Sequence, residues 1–123
     1  MSNQNKKRAR EPDSIDQSFD VLRDPCRRSL CRYVMQTETA VITHEEAVDY
    51  VVDRVSASIE TTPDRTAVAT ELRHIHLPKL DEAGLIEYDR ESGAVHVDRA
   101  TTEACLEQVR ATVAELQGTQ LDR

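Results

Sequence analysis

Apolar residues recur at helical spacing in the first half of the chain and predict three helices there. A short helical piece ends near Leu22, and Asp24-Pro25, an N-cap followed by a proline at the first helical position, begins a helix over about 25–37. A short strand is expected at 39–42. Thr43-His-Glu-Glu46 then fits a capping box. Valines at i, i+3, i+4 and i+7 after it predict an amphipathic helix over about 44–57.

The 25–37 helix has an apolar face and a basic face. The pattern places Cys26, Leu30, Tyr33 and Val34 on the side that faces the core. It places three arginines mostly on the other side, where we expect them to pair with nearby acids in solvent: Arg27, Arg28 and Arg32.

Thr62-Pro63, a cap followed by proline, predicts a further helix over about 63–82. Leu72, His76 and Leu80 form its inner face. Pro78 lacks the backbone N–H that a helix interior needs, so a kink is expected near Arg73–Leu77. We expect His76 to be buried, with its ring bonded to a backbone carbonyl that Pro78 leaves without a partner.

The pattern then changes from helical to alternating spacing. Gly84 supplies a left-handed end to the helix, and strands are predicted at about 85–89 and 94–98, joined by the turn Arg90–Gly93. A last helix follows, with an apolar seam in 3-4-3 spacing that suits a partner helix. The seam consists of Leu106, Val109, Val113 and Leu116.

These elements predict an α+β fold that is mostly α, in the order of a winged helix-turn-helix with a two-stranded wing and an additional C-terminal helix. The predicted divisions are a disordered basic arm at 1–13, a winged-helix domain at 14–99, a C-terminal helix at 100–118 and a tail at 119–123.

Two stretches resemble a known family. LRHIHLPKLDEAGLIEYD, residues 72–89, and LRDPCRRSLCRYV, residues 22–34, are similar to a winged-helix domain family that is widespread in haloarchaea and mostly uncharacterised. More distantly, HLPKLDEAGLI resembles the end of the recognition helix in ArsR-type repressors. The resemblance implies a DNA-binding transcriptional regulator that acts on double-stranded DNA.

The charge of the chain bears on that expectation. Acids outnumber bases 23 to 16, for a net charge of −7, and only three of the bases are lysines. This composition is similar to that of cytoplasmic proteins from salt-loving archaea. At about 1 M salt the Debye length falls to about 3 Å, and counterion release contributes little to DNA binding. An acidic net charge therefore does not exclude DNA binding in such a cytoplasm.

Candidate DNA contacts lie on the outward face of the 63–82 helix, with Arg73 at its flank, and at the wing. Thr70, Arg73 and His74 are candidates for base or phosphate contacts, while Lys79 and Arg90 are candidates for phosphate contacts. Glu71, on the same face, can accept a hydrogen bond from a cytosine amino group but repels phosphate. The alternative is a solvated helix face.

Other classes of function find less support in the sequence. It has no GxGxxG, P-loop, GxSxG or HExxH motif, so no enzyme activity, cofactor or metal site is predicted. The three cysteines are expected to be reduced thiols, two of them in the core, and no segment predicts a membrane span or signal peptide. We expect a cytoplasmic homodimer formed by the apolar seam, although the seam can also pack on the chain's own first helix. The competing function is a winged-helix module for protein–protein interaction.

Overall fold

The computed structural model describes residues 15–58 and 64–121. It contains a small antiparallel sheet among helices, so the predicted α+β, mostly α class is confirmed. The predicted basic arm at 1–13 lies outside the described residues. The elements are α1 (Ile15–Leu22), α2 (Pro25–Gln36), β1 (Val41–Thr43), α3 (His44–Ser58), α4 (Arg65–Glu71), a π-helical turn (Leu72–His76), α5 (Leu77–Glu82), β2 (Ile86–Tyr88), β3 (Ala94–Val97) and α6 (Arg99–Leu121).

Side-chain caps fix where the helices start. A carboxylate oxygen of Asp24 accepts from the backbone N–H of Cys26 at 2.7 Å and begins α2. The capping box of α3 is confirmed: Thr43 and Glu46 each accept the other's backbone N–H at 3.0 Å. Asp64 caps α4 through the N–H of Thr66. The start predicted at Thr62-Pro63 lies outside the described residues.

α4, the π-helical turn and α5 follow one another directly and together form the 65–82 helix, also called the long helix below. Its backbone bonding changes near Pro78, in the region where the sequence predicts a kink. Because a proline ring has no N–H and displaces the carbonyl four residues earlier, regular α-helical bonding cannot continue through this turn. The chain responds with a π-helical turn at Leu72–His76, in which the N–H of Leu77 bonds the carbonyl of Leu72. Two consecutive side chains, His76 and Leu77, are buried as a result.

The sheet has the strand order β1-β3-β2, with both pairs antiparallel. Its middle strand carries the buried Val95, which lies opposite Ile42 on one side and Tyr88 on the other. β2 is one residue shorter at each end than predicted, β3 one residue shorter at its end, and β1 begins two residues later. Gly84, with φ of +87°, ends the α5 segment as predicted.

The core lies between the sheet and the helices. Cys31 on α2 and Cys105 on α6 are buried in it, as expected for two of the three thiols. Burial raises the pKa of the Cys31 thiol to about 12, so this side chain behaves as a small apolar group. The largest fully buried side chains among the described residues are Val21, Val48, Val51, Leu72, Leu77, Leu80, Ile86, Val95 and Thr102.

Helix α6 is anchored at its start and exposed towards its end. Arg99 donates to the carbonyls of Val34 and Thr37, and the hydroxyl of Ser18 donates to Gln108 at 2.8 Å. The helix continues to Leu121, three residues beyond the predicted end. Within the described residues, no helix has the combination of length and apolar character that crossing a membrane requires.

Candidate nucleic-acid interface

The outward face of the 65–82 helix carries mostly polar, solvent-exposed side chains. Of the predicted contact residues, Thr70 and His74 are exposed on it and Arg73 is exposed at its flank. Thr66 and Ala67, one turn earlier, are exposed and small, so this end of the helix can approach another surface closely. Ile75, which the sequence pattern did not single out, is 46% exposed beside His74.

Most basic side chains of the described residues are already engaged. Arg65 contacts Glu45 and Asp49 on α3, and Arg110 pairs with Glu107. Three exposed arginines have no hydrogen-bond or ion-pair partner among the residues at 15–58 and 64–121, and His74 has none there either. These arginines are Arg32, Arg73 and Arg90.

The turn between β2 and β3 holds Arg90 in an ordered loop. The Asp89 carboxylate accepts from the N–H of Glu91 at 3.0 Å and from the hydroxyl of Ser92 at 2.9 Å, and these bonds keep its pKa below the usual range. Gly93, with φ of +80°, closes the turn by donating to the carbonyl of Asp89. Arg90 projects from a turn whose backbone is already hydrogen-bonded.

His44 connects this turn to the long helix. Its backbone N–H donates to the carbonyl of Gly93 at 2.9 Å, and its ring Nε2 lies 3.3 Å from the carbonyl of Ala69. Because a carbonyl only accepts, that nitrogen carries the ring proton. The buried His44 thus ties the wing base to α4. The position of His44 inside a capping box does not indicate, from the sequence, that its side chain makes this contact.

Lys79, predicted as a phosphate contact, is engaged elsewhere. Its Nζ bonds the Asp20 carboxylate on α1 at 3.0 Å, and this bond lowers the pKa of Asp20. Lys79 therefore faces α1, away from the outward face that carries Thr70 and His74.

The prediction that Arg27 lies on a solvent-facing side of α2 is wrong. Its side chain is only 3% exposed. It donates to the carbonyls of Val21 and Asp20, both at 2.9 Å, and its NH1 lies 3.0 Å from Nδ1 of His76. Helical spacing assigned Arg27 to the solvent-facing side of α2 together with Arg28. In the structure, α1 and the long helix both pack against the part of α2 that carries Arg27.

His76 is buried, as predicted, but its predicted partner was wrong. Its ring does not bond a carbonyl freed by Pro78; it bonds Arg27. A guanidinium only donates, so Nδ1 accepts and the ring proton of the neutral histidine is on Nε2. Nε2 faces the carboxylates of Glu71 at 3.7 Å and Asp24 at 4.0 Å.

The same region holds three side chains with metal-binding atoms, which the sequence analysis missed. Those of Asp24, Cys26 and His76 lie within 4.8 Å of one another. Arg27 opposes coordination there, because it fixes the tautomer that protonates Nε2. Burial, together with the nearby charges of Asp24 and Glu71, raises the pKa of the Cys26 thiol to about 12, which opposes a thiolate ligand. The group fastens α2 to the long helix.

The histidine in this group makes stability depend on pH. Burial lowers the pKa of His76, so the folded state binds fewer protons than the unfolded state below the ordinary histidine pKa of about 6.5. We expect the free energy of unfolding to fall as pH decreases below about 6.5. A His76→Gln variant, whose amide oxygen can still accept from Arg27, should show a shallower decrease in urea titrations at pH 7 and pH 5. Equal decreases in both proteins would contradict this assignment.

The predicted apolar seam on α6 divides into two halves. Leu106 and Val109 are half-buried, and Val109 lines a groove with Phe19 and Leu22 of α1. Val113 is 41% exposed and Leu116 is 67% exposed. The seam therefore packs partly on the chain's own helices and presents its later half to solvent.

Comparisons with known proteins identify a family but no activity. A family model described as Domain of unknown function (DUF7344) matches residues 19–96, from α1 to β3, which is more than half of the chain. No curated protein matches the chain, and no solved structure matches it.

Proposed function

We propose that this chain, which belongs to the DUF7344 family, is a winged-helix DNA-binding transcriptional regulator. In this proposal α2, α3 and the 65–82 helix are the three helices of the winged helix, and the turn at 90–93 is the tip of its wing. The element order and the β1-β3-β2 sheet are compatible with that fold. The 65–82 helix would enter the major groove, with the wing on the neighbouring backbone.

The main support for DNA binding is the location of the unpaired arginines. Arg73 is exposed at the flank of the outward face of the 65–82 helix and Arg90 is exposed at the turn, and a winged helix meets DNA through this helix and this turn. Among the other described arginines and lysines, Arg54 lies over the ring of Tyr50, and all the rest except Arg32 are held by acids or carbonyls of the protein itself. In a chain of net charge −7, two free cations at these places favour a polyanionic partner.

Double-stranded DNA sites with two-fold symmetry would require a dimer, and α6 supplies a surface for one. The later half of α6 exposes Val113 and Leu116 to solvent. Terminal helical turns without packing are marginally stable in water. A second copy that pairs with this half of α6 would bury both side chains and place two 65–82 helices on one duplex.

The dimer can be tested by charge substitution. We expect Val113→Asp with Leu116→Asp to convert the protein to a monomer, because the partner helix would have to bury two carboxylates. Light scattering after size exclusion, in concentrated potassium chloride, measures the mass directly. Val41→Asp is the matched control, since Val41 is also exposed, at 42%, but lies on β1. A wild-type monomer, or a dimeric double variant, would contradict the proposed interface.

The DNA-binding proposal is tested by genome-wide occupancy of the tagged protein in its native host, at the host's own salt concentration. We expect discrete peaks that share an inverted-repeat motif. A flat profile from abundant, folded protein would exclude a sequence-specific regulator.

Exposed Ile75 and the acidic body favour one other candidate, a winged-helix module that binds another protein through the same helix face. A flat occupancy profile together with a co-purifying protein that Ile75→Ala releases would support that module instead.

A further inference from the structure

A groove between α1 and α6 carries apolar side chains that the chain itself leaves partly uncovered. Phe19 and Leu22 of α1 line this α1–α6 groove together with Val109 of α6. Phe19 is 41% exposed, and Leu22 and Val109 are half-buried. Single exposed apolar residues are common on protein surfaces and have no functional meaning, whereas these three share one groove.

The groove continues along α6 as an apolar stripe. Successive residues of an α-helix advance by about 100°, so Val109, Val113 and Leu116 fall within an arc of roughly 60° on the helix surface. About 18 Å of helix follow Val109. One end of the stripe is therefore the α1–α6 groove, and the other end is an exposed ridge, formed by Val113 and Leu116.

The ridge alone is too small for a stable dimer. A stable protein–protein interface buries about 800 Å² on each partner and involves about 20–30 residues of each. The ridge presents two large apolar side chains on one side of a single helix. A dimer formed through α6 therefore needs further surface, and the α1–α6 groove is apolar surface that is continuous with the ridge.

Two copies related by a two-fold axis bring a ridge and a groove together twice. Positions 109 and 116 lie on either side of 112–113. Two antiparallel α6 helices with the axis near Val113 therefore place Leu116 of each copy against Val109 of the other. Phe19 and Leu22 lie beside Val109 in the groove, so they would enclose that leucine.

The charges around the groove suit a second copy of this acidic chain. Two acids and two arginines complete the lining: Asp16, Asp20, Arg23 and Arg28. The lining is thus neutral overall, although the chain has a net charge of −7. A second copy meets no net repulsion at this surface, and a strongly basic partner finds no excess of acids there.

We infer that the α1–α6 groove receives Leu116 of a second copy, so that α1 forms part of the dimer interface. This inference rests on the proposed dimer and extends it from α6 to α1. It specifies which residues of the two copies touch: Leu116 of one copy contacts Phe19 and Val109 of the other.

Cross-linking between copies tests this contact. Phe19→Cys and Leu116→Cys proteins are prepared separately, only one of them with an affinity tag, then mixed to exchange subunits and oxidised in concentrated potassium chloride. A disulfide between them gives a covalent dimer of one tagged and one untagged chain, which a denaturing gel resolves by size. We expect this dimer to predominate. Val41→Cys, at an exposed residue of β1, replaces Phe19→Cys in the control and should give no covalent dimer with the Leu116→Cys protein.

Substitution of Phe19 gives a second measurement. Phe19 is exposed in the single chain, so Phe19→Ser should leave the fold intact. We expect it to raise the dissociation constant of the dimer more than tenfold in analytical ultracentrifugation, because aromatic side chains often dominate the binding energy of an interface. Ile75→Ser, at a residue that is 46% exposed but does not line the groove, should leave the dissociation constant unchanged.

Other results would overturn the inference in distinguishable ways. Covalent dimers of Leu116→Cys chains alone, or an unchanged dissociation constant for Phe19→Ser, would show that α6 pairs without α1. The proposed dimer would then stand and this inference would fail. A wild-type monomer would refute the dimer and this inference together, while genome-wide occupancy would still decide DNA binding independently.

Discussion

An Arg27→Ala substitution is expected to lower the free energy of unfolding by about 3–5 kcal/mol. The guanidinium is buried and bonds two carbonyls and the His76 ring, so its removal leaves three polar groups without a partner. It also removes the hydrogen bonds through which Arg27 links α2 to α1 and to the long helix. Urea denaturation at pH 7 in concentrated potassium chloride measures the change.

Arg28→Ala is the matched control for this prediction. Arg28 is the next residue of the same helix, is exposed, and donates one hydrogen bond to the carbonyl of Leu22. We expect it to change the free energy of unfolding by less than about 1 kcal/mol. If the two variants were equally stable, Arg27 would not hold the helices together. A smaller loss for Arg27→Met than for Arg27→Ala would identify packing of the aliphatic stem as part of the effect.

Local signals in the sequence were sufficient for elements whose geometry depends on neighbouring residues. The capping box at Thr43 and Glu46, the turn at 90–93 and the interruption caused by Pro78 are each decided within a few residues. Hydrophobic spacing identified Leu72, His76 and Leu80 as the inner face for the same reason.

Features that depend on tertiary neighbours could not be predicted in this way. The spacing of α2 assigned Arg27 to solvent because a helical wheel shows two faces, whereas α2 is covered on more than one side. The pairing of Lys79 with Asp20 joins residues 59 positions apart. His44 is a part of the candidate site through contacts with Gly93 and Ala69, and no sequence pattern indicates either contact.

The net negative charge of the chain is compatible with its proposed DNA partner because acids of the protein already hold some of its basic side chains and leave others free. Arg65 is held by Glu45 and Asp49, which neutralises the base at the start of the 65–82 helix. At high salt, distant acids on α3 or α6 are screened within about 3 Å. Attraction to DNA then depends on the few cations that touch it, and these are Arg73 and Arg90 in the proposed complex.

Replacing both Arg73 and Arg90 with alanine is therefore expected to weaken DNA binding by more than tenfold, measured on a selected duplex in concentrated potassium chloride. A base or phosphate contact of this kind contributes about 1–3 kcal/mol, so each single variant should account for part of the loss. Arg90→Ala should also reduce the slope of log affinity against log salt by about 1, as expected for the loss of one phosphate contact.

Arg32→Ala is the control that distinguishes the location of a positive charge from general positive charge. Arg32 is likewise exposed and without a described partner, but it lies on α2, outside the proposed interface. If general positive charge were sufficient, Arg32→Ala would weaken binding as much as Arg73→Ala. If the location of the charge decides, Arg32→Ala should bind like the wild-type protein. Unchanged affinity in the Arg73 and Arg90 variants would contradict the docking of the 65–82 helix and the wing, because no other free cation of the described residues lies on either element.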